Sequence, residues 1–97
     1  MKIYISGPMT GYPKLNYQAF NAMARKLKAM GHIALNPARH PDGLTHAEYM
    51  QIDLAMVDVA EAIVTLPGWH KSKGSVKEIE YAINQGKNIY HNAEALP

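Results

Sequence analysis

The chain has 97 residues, 47% of them hydrophobic, with 10 Lys plus Arg against 8 Asp plus Glu and a formal charge of +2. That size supports one domain around one core, so residues 1–97 are read as a single domain. The absence of cysteine excludes disulfides and thiolate metal sites, and no stretch approaches the roughly 20 apolar residues of a membrane span. Met1-Lys2-Ile3-Tyr4 runs straight into a strand pattern without a signal-peptide hydrophobic region, so a cytoplasmic protein is expected. Its cations are spread along the chain, which gives little support for duplex nucleic acid as a partner and leaves room for a small anionic ligand; with no apolar span, no membrane partner is expected.

Lys2-Ile3-Tyr4-Ile5-Ser6 is a β-branched and aromatic run ending at Gly7-Pro8, and it reads as the first strand. Phe20, Met23, Leu27 and Met30 then recur at helical spacing. Asn16 is the expected N-cap of that helix and Gly31 its left-handed stop. His32-Ile33-Ala34-Leu35 forms a second strand, broken by Asn36-Pro37, and residues 38–44 read as a surface loop. Thr45 with Glu48 makes a capping box that opens a helix whose buried stripe is Met50, Leu54 and Val57. Ala62-Ile63-Val64-Thr65-Leu66 is a third strand, turned out by Pro67-Gly68-Trp69. Val76, Ile79, Ala82 and Ile83 define a last helix stopped by Gly86, Asn88-Ile89-Tyr90 is a final strand, and residues 92–97 are expected to fray.

This β-α-β-α-β-α-β order predicts an α/β fold, a small parallel sheet of about four strands with right-handed crossovers and helices on both faces. Ligands in such sheets sit at the carboxyl ends of the strands, near the switch in strand order. Two segments occupy that edge, Ser6-Gly7-Pro8-Met9-Thr10-Gly11 and the stretch from Pro67 to Ser75.

Gly74-Ser75 at the start of the last helix suits an anion, because a helix N-terminus presents free N–H groups and a glycine lets the ligand approach them. Lys71 and Lys73 would add charge for a phosphate. Ser75 and Glu78 equally match an ordinary capping box. Glu78 and Glu80 flank the buried face on opposite sides, and geometry does not choose between them as a reactive carboxylate; either also fits a solvated surface position. Asp53 falls at the edge of its helix's apolar stripe, where a carboxylate is hydrogen-bonded, paired or held for function. Trp69 and Tyr4 suit either stacking on a base or plain packing. The five histidines show no metal-ligand spacing, so no metal is assigned. No G-x-G-x-x-G, P-loop or nucleophile-elbow motif is present.

Taken together, Ile3 to Gly11, Asn36-Pro37, Asp53-Leu54, Leu66-Pro67-Gly68-Trp69 and Ser72-Lys73-Gly74-Ser75 leading to Glu78 and Ala82 resemble a family of small, often phage-encoded proteins of unassigned function. That family is similar to the nucleoside 2-deoxyribosyltransferases and the deoxynucleoside 5′-monophosphate N-glycosidases. The resemblance implies that Glu78, four residues after the helix glycine, is the nucleophile, which separates it from Glu80. It implies that Asp53 handles the sugar and a proton, and that Tyr4, Gly7 and Pro8 belong to the substrate pocket; Met9 beside them, the stacking candidate Trp69, and Lys73, Gly74 and Ser75 at the anion-binding helix start complete the expected substrate-binding set. Where the transferases carry an aspartate before the helix glycine and a glycine two residues after the nucleophile, this chain has Ser72-Lys73 and Glu80. The lysine favours a phosphorylated ligand.

The implied chemistry is cleavage or transfer of the N-glycosidic bond of a nucleoside or nucleotide through a covalent glycosyl-glutamate, with no metal or organic cofactor. A non-catalytic module binding a nucleotide or an ADP-ribose-like ligand on the same fold is the alternative. A sheet this small is marginal alone, so a homodimer or higher homo-oligomer is expected.

Overall fold

The computed structural model describes residues 1–97. Strands β1 (Lys2–Ser6), β2 (Ile33–Leu35), β3 (Ala62–Thr65) and β4 (Asn88–Tyr90) alternate with helices α1 (Tyr17–Ala29), α2 (His46–Val59) and α3 (Lys73–Asn84). The strands form one sheet in the order β2-β1-β3-β4, every pair parallel. Tyr4 of the central β1 faces Leu35 on one side and Ile63 on the other. The chain leaves β1 first toward β2 and later toward β3, so the order reverses between β1 and β3. Crossovers of one hand then fall on opposite faces of the sheet.

Strand alternation divides the core accordingly. Ile3, Ile5, Ala62 and Val64 point to one face and pack with Phe20 and Leu27 of α1. Tyr4 and Ile63 point to the other, where Val57 of α2 and Ile79 and Ala82 of α3 cover them. Ser6 follows Tyr4 by two residues and therefore looks toward α2 and α3 as well, at the carboxyl end of the strand.

The helix ends show which local signals governed. Thr45 and Glu48 form the reciprocal capping box: Glu48 N–H donates to Thr45 Oγ1 at 3.2 Å and Thr45 N–H to Glu48 Oε1 at 2.8 Å. Asn16 behaves otherwise. Its backbone is left-handed (φ 61°) and its side chain caps nothing, its Nδ2 donating instead to the Pro8 carbonyl at 2.9 Å. At α3 the cap lies one turn earlier than the Ser75–Glu78 alternative: Ser72 Oγ accepts from Ser75 N–H at 3.3 Å, and Ser75 is inside the helix.

Three expectations need correcting. In α2 the buried positions are Asp53 and Val57, with Leu54 only half-buried, so the carboxylate lies on the inward face of the helix. Ile83 is exposed, because the inner face of α3 runs through Ser75, Glu78, Ile79 and Ala82. The tail is not frayed: a short turn at Ala93–Ala95 inserts Ala93 and Leu96 into the core under α1.

Candidate functional site

The site lies at the carboxyl ends of β1 and β3, where the strand order reverses. Gly7 makes this edge possible. A Cβ there would stand 2.7 Å from Leu66 Cβ, so only glycine lets the loop after β1 pass over the end of β3. The loop lines one wall of a cavity of about 280 Å³ with Gly7, Met9 and Thr10. Further along, Lys14, Leu15 and Asn16 are three consecutive residues with positive φ (49°, 53° and 61°), a conformation costing about 1–2 kcal/mol per non-glycine residue. The Asn16–Pro8 bond holds the segment in place, and Leu15 and Tyr17 face the cavity beyond it.

Two helices supply the opposite walls. From α3 come Gly74, Ser75 and Glu78, and from α2 come His46, Tyr49, Met50 and Asp53. Glu78 lies within the first two turns of α3 and is only 6% exposed. The Ser6 hydroxyl donates to Glu78 Oε1 at 2.7 Å, and Ser6 Oγ lies 2.6 Å from Ser75 Oγ. Ser6 has one hydrogen, already committed to Glu78, so Ser75 is the donor between the two hydroxyls. A file of hydroxyls thus runs from α3 through β1 back to α3, ending on the carboxyl group. Burial raises the Glu78 pKa from 4.5 to about 8, and the nearby Asp53 charge adds to the rise while the Ser6 hydrogen bond opposes it.

Beneath this pair lies Tyr4. Its side chain is wholly buried and its hydroxyl has no hydrogen-bond partner. Burial first, then the charges of Glu78 and Asp53, hold its pKa well above the usual phenol value, so it stays neutral. Asp53 has a partner on its other side: His40 Nε2 is 2.6 Å from Asp53 Oδ1. His40 stacks on Tyr49 with centroids 6.3 Å apart and planes inclined by 19°. The Tyr49 hydroxyl donates to the Pro41 carbonyl at 2.8 Å and accepts from Leu44 N–H at 3.3 Å. The loop bearing His40 is therefore tied to the helix bearing Asp53.

Of the residues singled out in the sequence, Glu78, Asp53, Gly7, Met9, Gly74 and Ser75 meet around the one cavity, whereas Tyr4, Pro8, Trp69 and Lys73 do not line it. Tyr4 lies below the carboxyl pair. Pro8 is buried and offers its carbonyl to Asn16. Trp69 stacks on His91 at 5.6 Å and 14°, and packs against the Tyr4 side of the core. Lys73, like Lys71, is exposed. An anion entering here meets the N-terminal turn of α3, not a lysine.

Sequence reasoning gave no site role to His40, His46 or Tyr49, and none to Ser6 or Ser72, although both serines lie in the two segments expected at the strand-end edge. Two signals would have found some of them. Ser6 shares a strand face with Tyr4, and His46, Tyr49 and Met50 precede Asp53 by seven, four and three residues on one helix face. His40 comes from an irregular loop, where no periodicity announces it. No group of three or more His, Cys, Asp or Glu side chains is arranged to hold a metal ion.

Residues 1–91 match the family described as a domain of unknown function, DUF4406. The chain belongs to the DUF4406 family. No curated protein matches it at a significant level. Among solved structures, the DUF4406 chain is similar to the 2-desoxiribosyltransferase from Leishmania mexicana, with a TM-score of 0.71 and 21% identity over 91% of this chain and 61% of that one. It therefore spans about three fifths of the length of the transferase. At this identity the likeness establishes the fold: the DUF4406 chain shares the four-stranded parallel α/β arrangement of a nucleoside deoxyribosyltransferase. In the DUF4406 chain, the strand-end position carries the buried carboxyls of Glu78 and Asp53 beside a small cavity.

Proposed function

We propose that the protein cleaves or transfers the N-glycosidic bond of a nucleoside or nucleotide, with Glu78 as nucleophile. The observation that carries this reading is the buried Glu78 carboxyl, bonded by Ser6 and facing the cavity beside Asp53. A glutamate held only for helix capping would turn back to its own backbone; this one reaches across to β1. The cavity of about 280 Å³ lies just below the roughly 300–1,000 Å³ typical of ligand pockets, which suits one nucleoside better than a dinucleotide.

In this mechanism a Glu78 oxygen attacks the anomeric carbon while the bond to the base breaks, its electron pair leaving with the base nitrogen. The Asp53 carboxyl gives the departing base its proton. Water or a second base, giving its proton to the Asp53 carboxylate, then attacks the same carbon; the bond from that carbon to Glu78 breaks with its electron pair going to the carboxylate, with net retention at the sugar. Glu78 itself keeps its proton up to about pH 8 when the site is empty, so the reactive form is the one in which that proton has passed from Glu78 to Asp53. His40, bonded to Asp53 and braced by Tyr49, fixes the orientation of the acid.

The test is a panel of nucleosides, deoxynucleotides and ADP-ribose compounds incubated with the protein, with free base followed by chromatography and the protein mass followed for a glycosyl adduct. Base release abolished in Glu78→Ala and retained in Glu80→Ala is expected, since Glu80 is exposed on the far flank of α3. Saturable binding of an unchanged ligand would replace this reading with a non-catalytic binding module.

A further inference from the structure

A second concavity lies on the other side of the molecule's β2 edge, and nothing in the glycosidic reading uses it. It is an open groove of about 810 Å³ between α1 and the segment leading out of β2. Arg25 and Lys28 of α1 form one wall with Asn21, spaced four and three residues apart so that all share a helix face. His32, Asn36 and Arg39 close the other side. Asn36 Nδ2 donates to Asn21 Oδ1 at 2.9 Å and ties the two walls together.

No carboxylate lines this groove. The ion pairs of the molecule are Lys26–Glu94 and His40–Asp53, so Arg25, Lys28 and Arg39 all stand without an acidic partner. Three uncompensated cations concentrated in one concavity, on a chain whose formal charge is only +2, make a local field that favours an anion. The groove is open and its cations are set along and across it. No helix N-terminus encloses a single ion.

We propose that this groove is a second binding site, for a ligand carrying several phosphates, such as a single-stranded nucleic acid or a polyphosphate chain. The site adjoins the carboxyl pair through one short turn. In Pro37–Arg39, Pro37 lines the cavity and Arg39 the groove, and the next residue, His40, holds Asp53. Asn21 and Asn36 line the groove along with these cations. The groove shares no lining residue with the Glu78 cavity.

The test is fluorescence anisotropy of a labelled single-stranded oligothymidylate of about 10 nucleotides, a length within known single-strand site sizes, titrated with the intact protein over a range of salt. A groove variant, Arg25→Gln with Lys28→Gln and Arg39→Gln, is compared with a charge-matched control on exposed positions of α3 and the turn before it, Lys71→Gln with Lys73→Gln and Lys77→Gln. The groove variant is expected to bind about tenfold or more weakly, with its salt slope reduced by about 2, while the control loses no more than about twofold. Circular dichroism checks that both are folded. Displacement by an equal concentration of tripolyphosphate supports the site as one for free polyphosphate, and resistance to displacement supports it as one for a strand. Equal losses in the two variants, or no saturable binding of either probe, would overturn the proposal.

Discussion

Glu78 carries a proton at neutral pH that an exposed glutamate has already lost, and that proton ties stability to pH. Its pKa is about 8 in the folded chain against an ordinary 4.5, so between these values the native state binds more protons than the unfolded one. Stability is then highest below about pH 4.5 on this account and falls as pH rises through about 8, by on the order of a few kcal/mol. Glu78→Gln places a neutral amide at the same position at every pH. Its melting temperature relative to wild type should therefore rise from mildly acidic to mildly alkaline buffer; parallel curves would remove the buried proton from the account. The same proton governs the proposed chemistry. Because one proton on the carboxyl pair is required, kcat/KM should hold across neutral pH and fall above about pH 8, close to tenfold per unit. A rate that continued to climb beyond that point would leave Asp53 with no proton to give.

The helices place these carboxylates, and their ends decide how firmly. Thr45 and Glu48 close the first turn of α2, the turn that brings His46, Tyr49 and Met50 to the cavity. Thr45→Ala should cost about 1 kcal/mol in chemical denaturation. The serines at the start of α3 divide the two roles that the sequence left merged. Ser72→Ala removes the cap and should likewise cost about 1 kcal/mol, while Ser75→Ala leaves the cap and deletes the donor that satisfies Ser6. The expected signature of Ser75→Ala is a shifted pH dependence of activity, which Ser72→Ala should not show. Element types and most boundaries were legible because they rest on local signals: apolar periodicity, the capping box, and the glycine stop at Gly31 (φ 90°). The merged serines show where such signals stop. Ser75 and Ser72 both have a cap's chemistry, and only the position of Ser6, 69 residues away in the chain, draws Ser75 into the site.

At the scale of the whole molecule, alternation of strands and helices was enough to give a parallel sheet with its functional edge at the strand ends, since the handedness of crossovers leaves few other topologies. The third wall of the site was not legible, because His40 reaches Asp53 from a loop whose course depends on Tyr49 holding Pro41 and Leu44. The C-terminal segment was misread for a related reason. Asn92 to Pro97 has no periodicity and reads as a free end, yet Ala93 is 0% and Leu96 8% exposed against the Ile3, Phe20 and Leu27 cluster. Four short strands leave a small core, and these two side chains complete it on the α1 side. Leu96→Ala should then cost about 2–3 kcal/mol, near the low end for a buried leucine because the site lies at the rim of the core. For a domain of this size that corresponds to a fall of roughly 10–20 °C in Tm. Glu94→Ala, two residues away, removes only an exposed pair with Lys26 and should change stability by less than about 1 kcal/mol. A calorimetric scan of the two variants separates the contributions: a tail held by charge would reverse their order, and a frayed tail would leave both melting with the wild type.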